Sequence, residues 1–299
     1  MADTLIPPDV RARLRGLRLA TRMPAGGDGL GQHSSRSRGA GLEFAQYRAY
    51  EPGDEPRRID WKLYARSDRY FVREAERDSP LTAWIVLDAT GSMAQRDRRE
   101  AERDKLDAAR TLAACTIELA LQQGDRFGLV MAGDPLQVVP AGSGARQRDR
   151  CRLALAQRRS GGGWPSDAAL RPLFERMAPG SLIVFLSDFF DAAAIDLATR
   201  LALARREVAS LQLIASDEHD FPFHGSHRFV EQESGAERRV DADGVRADFL
   251  QRFAAARAQL AQRFASAGIR HAEHLLSEPA DAPLRRLFDP RALAAGGAR

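Results

Sequence analysis

The stretch TAWIVLDATGSM, residues 82–93, decides how the chain is read. Its first seven residues, TAWIVLD, read as a buried strand: short, apolar and partly β-branched. The apolar run stops at Asp88, and two hydroxyls follow on alternate positions, Thr90 and Ser92. An acid and two hydroxyls in that place call for a reason, because ligands of doubly wound sheets bind outside the carboxyl ends of the strands.

Working outward, the same grammar repeats. FGLVMAG (127–133), SLIVFLSD (181–188) and VASLQLIAS (208–216) read as further buried strands. Between them lie helical stretches: AERDKLDAARTLAACTIELALQQG (101–124), closed by Gly124, then RDRCRLALAQ (148–157), SDAALRPLFERM (166–177) and AAAIDLATRLALARR (192–206). HRFVEQESGAERRVD (227–241) reads as a polar hairpin around Ser234-Gly235. A helix (246–268), a last strand (269–276) and a closing helix APLRRLF follow. Near-continuous apolar strands separated by helices predict an α/β fold, a doubly wound and mostly parallel sheet covered on both faces. The hairpin is an insertion in it. The expected organisation is an N-terminal helix and Gly/Ser-rich loop (1–40), a separate segment (41–80) and the α/β domain (81–299).

In PPDVRARLRGLRLATR, Val10, Leu14 and Leu17 fall on one helical face and the other face is rich in arginine. Docking on the chain's own domain is expected, with peripheral contact to a membrane surface as the alternative. The chain has 299 residues, 44% hydrophobic and 29% charged, which suits a globular protein with a sizeable core. Acids and bases interleave to a net charge of +4, and Lys62 and Lys105 are the two lysines among many arginines. No basic stripe with interleaved aromatics is present, which argues against nucleic acid as a partner. Cys115 and Cys151 show neither metal spacing nor a disulfide framework and read as reduced thiols. The N-terminus has no apolar signal region, and runs such as LIVFL fall far short of the ~20 residues that span a bilayer. A cytoplasmic protein is expected.

Asp88 and Asp188 each end an apolar strand. If those strands are close, the two carboxylates converge with Thr90 and Ser92 at one edge. That set is all hard oxygen and suits Mg²⁺ or Mn²⁺. With Asp88 close and Asp188 reached through water, the ion stays short of negative charge and favours a carboxylate from another molecule. The plainer alternative has Asp88 and Ser92 capping the following turn.

Asp88-x-Thr90-x-Ser92 resembles the D-x-[ST]-x-S motif of von Willebrand factor A-like domains, which hold a metal-ion-dependent adhesion site. Upstream, GLEFAQYRAYEPGDEPRRIDWKLYARSDRYFVREAERD (41–78) resembles the signature of the bacterial family called domain of unknown function 58, and SDEHDFPFHG (216–225) is similar to that family's later segment. The resemblance implies a von Willebrand A-like fold, no established enzymatic activity, and partnership with a MoxR-type AAA+ ATPase acting on a client protein. Adhesion sites of this kind take a further threonine from a G-G-x-T loop. Here SGGGWPSDAAL (160–170) stands in that place, leaving Ser166 as the candidate substitute, out of register.

EPGDEPRRIDWKLYAR (51–66) gathers Asp54, Arg57, Arg58, Asp60, Lys62 and Arg66 around Trp61. It reads either as an interaction surface or as a salt-bridged strap with Trp61 buried as its anchor, and the strap is preferred. His219, His224 and His227 lie close in sequence, but their irregular spacing favours exposed histidines over zinc. The GGG at 161–163 lacks the Gly-Lys-Ser/Thr ending of a phosphate loop. An enzyme reading, a haloacid-dehalogenase-like phosphohydrolase with Asp88 as nucleophile and Asp188-x-x-Asp191 as metal pair, lacks the second carboxylate its general acid needs, because Thr90 stands there. The expected function is therefore a non-enzymatic interaction module, with that phosphohydrolase or a metal-free scaffold as alternatives.

Overall fold

The computed structural model describes residues 5–21, 44–51, 59–75, 81–99, 103–230 and 236–289. Asp54, Arg57, Arg58, the Gly/Ser-rich loop and the hairpin tip at Ser234-Gly235 lie outside the described residues. The chain divides into two compact units, residues 30–80 and residues 1–29 with 81–299.

In chain order, the larger unit begins with α1 (Pro8–Arg13). The smaller unit holds β1 (Phe44–Ala49), α2 (Trp61–Ser67) and β2 (Phe71–Ala75). The larger then resumes with β3 (Thr82–Asp88), α3 (Lys105–Gln123), β4 (Arg126–Ala132), β5 (Gln137–Gly142), α4 (Gly144–Gln157), α5 (Asp167–Arg176) and β6 (Leu182–Ser187). It ends with α6 (Ala192–Leu203), β7 (Glu207–Ile214), α7 (Ser216–Asp220), the hairpin β8 (Ser226–Val230) and β9 (Glu237–Asp241), α8 (Ala242–Ser266), β10 (Arg270–Leu275) and α9 (Asp281–Phe288).

The central sheet has six strands in the order β5-β4-β3-β6-β7-β10, parallel throughout except where β5 pairs antiparallel with β4. Counted within the sheet, this is the doubly wound order 3-2-1-4-5-6. The apolar run of β3 splits by alternation. Ala83, Ile85 and Leu87 join the core built with α1, α3, α4 and α9, whereas Trp84 and Val86 join the core built with α5, α6 and α8. With both faces covered, every inner position must be apolar, which is why the strand reads as a continuous run. Trp84 leaves no room on its neighbour. A Cβ on Gly128 of β4 would stand 2.6 Å from the indole ring, so that position takes only glycine.

Helix boundaries follow local chemistry. Asp104 caps α3 by accepting the Asp107 N–H at 2.7 Å, and Gly124, left-handed at φ 75°, ends it. The helix starts four residues later than the sequence suggests, whereas α4 and α8 each start four residues earlier. The strand QVVPAG escaped the reading because it is a half-exposed edge with Pro140 in it, a residue that edge strands tolerate. At the N-terminus Ile6, Val10, Leu14, Leu17 and Leu19 are buried in the domain core. Gln123 both accepts from and donates to the Leu19 backbone (2.7 and 3.0 Å), and Arg13 pairs with Asp281 at 2.7 Å. The apolar face of this segment is thus spent on its own domain.

In the smaller unit β1 and β2 pair antiparallel, and Asp60 caps α2 by accepting the Lys62 and Leu63 N–H groups (2.9 and 3.0 Å). The buried anchor of the strap reading is overturned, whereas its pairs through Asp54, Arg57 and Arg58 lie outside the described residues. Trp61 is 58% exposed, and Lys62 and Arg66 make no ion pair among the described residues. The cause is local: Trp61 is the first residue of a short helix that buries none of its side chains. Its indole instead meets Tyr64 and Tyr70 edge-on, while those two rings stack 4.5 Å apart.

Candidate functional site

In an open α/β sheet the crevice opens where the strand order reverses, here between β3 and β6. The carboxyl ends of these strands carry Asp88, Ser187 and Asp188, so the acids predicted to converge do share one edge.

Asp88 is 1% exposed, and both its oxygens are engaged by short-range donors. Oδ1 accepts the Thr90 N–H at 2.9 Å and the Thr90 hydroxyl at 2.7 Å; Oδ2 accepts the Ser187 hydroxyl at 2.6 Å. The Thr90 hydroxyl lies 3.3 Å from that of Ser92, which is half-buried and leads toward the surface. Burial, and then the neighbouring charge of Asp188, push the Asp88 carboxyl up to about 6 against the hydrogen bonds from Ser187 and Thr90. Of the capping alternative, the Asp88 half is seen in the Thr90 N–H bond, whereas the Ser92 hydroxyl meets Thr90 Oγ1 and caps no backbone N–H among the described residues.

Asp188 has a partner that sequence reasoning missed. Lys105, at the start of α3, is fully buried, and its ammonium donates to Asp188 Oδ2 at 3.0 Å and to Glu218 Oε1 at 2.6 Å. Burial opposes its charge, but Asp188 and Glu218 outweigh it and hold the amine above its ordinary value. The ammonium also lies 4.4 Å from the centre of the Phe190 ring, and Phe190 is 55% exposed beside the acids. Glu218 belongs to α7 and closes its own turn by accepting the Ala215 N–H at 2.9 Å. Asp97 ties the same helix down by accepting both the N–H and the hydroxyl of Ser216 (2.9 and 2.7 Å). A signal for Lys105 existed: it is one of two lysines in a chain that otherwise uses arginine.

The glycine loop comes to the site as expected, without a threonine. Gly91 N–H donates to Gly162 O at 2.9 Å and Gly161 N–H to Ala89 O at 3.0 Å. Trp164 stacks on Phe185 in the core, and the Ser166 hydroxyl accepts the Ala169 N–H at 3.4 Å as the cap of α5. Asp191, the would-be second member of an enzyme metal pair, caps α6 through the Ala193 N–H at 2.8 Å. The histidines bind separately, His219 to Asp220 and His224 to Asp243 (2.7 and 2.9 Å), while His227 bonds to the His224 carbonyl at 3.0 Å. Among the described residues no three His, Cys, Asp or Glu side chains cluster as metal ligands.

A family profile described as "Protein of unknown function DUF58" matches residues 46–259. The uncharacterized protein Rv1480 of Mycobacterium tuberculosis (strain ATCC 25618 / H37Rv) is 30% identical over 262 residues, covering 85% of this chain and 80% of that protein. Among solved structures, the conserved hypothetical protein BatB from Bacteroides thetaiotaomicron is similar at 12% identity, with 73% of this chain and 100% of that chain covered and a TM-score of 0.45. An aerotolerance-related membrane protein from Bacteroides fragilis NCTC 9343 is similar at 15% identity, with 72% and 99% covered and a TM-score of 0.46. No helix among the described residues of this chain is long and apolar enough to cross a membrane.

Proposed function

The chain belongs to the DUF58 family, and from that premise we propose that it is a non-catalytic protein-interaction module of von Willebrand A-like type. Its recognition point is the edge where β3 and β6 end. Asp88, Thr90 and Ser92 would hold Mg²⁺ or Mn²⁺ there, with Asp188 as the neighbouring acid at the same edge. When bound, the ion supplies a Lewis-acidic anchor for a carboxylate of a partner protein. The partners in this reading are a MoxR-type AAA+ ATPase and its client, supported by the resemblance of segment 41–78, and the exposed Trp61 supports a contact on the smaller unit taken by itself.

One observation carries this reading: three oxygen-bearing side chains on alternate residues gather at the switch point, Thr90 Oγ1 lying 2.7 Å from Asp88 Oδ1 and 3.3 Å from Ser92 Oγ. The donor set fits a small hard cation. Lys105 supports the division of labour. Its one positive charge is shared by Asp188 and Glu218, whereas Asp88 is held by hydroxyls and a backbone N–H with no cation bonded to it among the described residues.

Electron paramagnetic resonance of Mn²⁺ titrated into the full chain tests the ion, with Mg²⁺ as competitor. Asp88→Ala abolishes the bound signal and Mg²⁺ displaces it. Capture of the ATPase from a lysate of the source cells then tests the role. Capture that survives both chelator and Asp88→Ala would sink the metal bridge and leave the scaffold reading.

A further inference from the structure

Beside the sheet edge, α7 has a second face. Arg98 and Arg99, the α7 residues Asp217 and Asp220, and Pro222 and Arg246 line most of a cleft of about 670 Å³. Three guanidinium groups meet two carboxylates in it, so the cleft keeps a positive balance. The arginines are not equally spent. Arg99 pairs with Asp220 at 2.7 Å. Arg246 is held by two carbonyl oxygens, of Asp220 at 3.0 Å and of Phe221, which fix its plane, and it bonds to no carboxylate among the described residues, although its charge reaches those of Asp220 and Asp243. Arg98 is exposed and makes no hydrogen bond or ion pair among the described residues; it lies 5.6 Å from the Phe223 ring centre.

We propose that this cleft is a docking point for an acidic stretch of a partner polypeptide, whose carboxylate lies on Arg98 and Arg246 and whose neighbouring aliphatic side chain lies on Pro222 and Leu250. Charge complementarity selects the occupant. Asp217 and Asp220 in the same lining repel the double charge of a phosphate dianion more strongly than the single charge of each carboxylate along a peptide. The short helix α7 serves both places, sending Glu218 to Lys105 and contributing Asp217 and Asp220 to the cleft. The cleft uses none of the proposed metal ligands, so it stands or falls separately from the ion.

The probe is a fluorescein-labelled peptide of two Asp-Leu-Glu repeats, followed by anisotropy with the full chain. A Lys-Leu-Lys repeat is the control and inorganic phosphate the competitor. The acidic peptide binds, Arg98→Glu weakens it by about tenfold or more, and Arg98→Lys keeps most of the affinity. Chelator is present throughout, which keeps any ion-bound carboxylate out of the signal and separates this test from that of the metal site. No binding of the acidic peptide, equal binding after Arg98→Glu, or displacement by phosphate at comparable concentration overturns the proposal. Because Arg98 is exposed, the variants fold, and circular dichroism checks that they do.

Discussion

Lys105→Met removes one charge from the interior and reads the electrostatics of the site directly. The ammonium is fully buried at 3.0 Å from Asp188 and 2.6 Å from Glu218. Methionine keeps much of the stem and deletes the cation, so two carboxylates lose their counter-ion together. Breaking a buried pair by removing one partner costs about 3–5 kcal/mol. At ~2–4 °C per kcal/mol for a domain of this size, the melting midpoint falls by roughly 6–20 °C. Asp188→Asn leaves the Lys105–Glu218 bond standing and costs less, about 1–3 kcal/mol. The double variant loses less than the two single losses added, by about 1 kcal/mol or more, because one partner without the other is the costly state. Urea unfolding followed by circular dichroism at about pH 7.5, with chelator present, measures all four corners of the cycle. A loss under about 1 kcal/mol for Lys105→Met, or strict additivity in the cycle, would refute the claim that this lysine balances the acids.

Two further outcomes are expected. Burial, with Arg103 and Arg286 adding to it, pushes His274 from the ordinary 6.5 down to about 3, and neither ring nitrogen has a hydrogen-bond partner among the described residues. The folded form then takes up the proton less readily than the unfolded chain, so this contribution to stability is complete above pH 6.5 and is lost as pH falls toward 3. The loss is about 2 kcal/mol at roughly pH 5 and is absent in His274→Leu; an equal pH dependence of the two proteins in urea unfolding would contradict it. Trp61→Ala should change stability by under about 1 kcal/mol, against the ~3–5 kcal/mol of a buried tryptophan, and thermal melts separate the two.

The parts of the fold legible in the sequence were those whose physics is local. A strand covered on both faces must be apolar at every inner position, so β3, β6 and β7 announced themselves. The turn after β3 was legible for the same reason, since Asp88, Thr90 and Ser92 are neighbours in sequence. What was not legible depends on distant partners. The Lys105–Asp188 contact joins residues 83 apart and Lys105–Glu218 joins residues 113 apart, and no periodicity encodes such a meeting. Ser187 looked like the polar end of a strand, and its bond to Asp88 spans 99 residues. Trp61 failed for another reason. Size and apolarity argued for burial, but a residue at the first position of a short, capped helix need not face a core.

The backbone bonds that run from Gly91 to Gly162 and from Gly161 to Ala89 splice two loops into one piece. A visitor to the aspartate turn therefore finds it already set, and little ordering entropy has to be surrendered on arrival. The same splice narrows the options for redesign. Restoring a threonine near Trp164 would pull on the segment that fixes Ala89 and Gly91, so a graft of that kind must carry both loops or it will disturb the turn it was meant to complete.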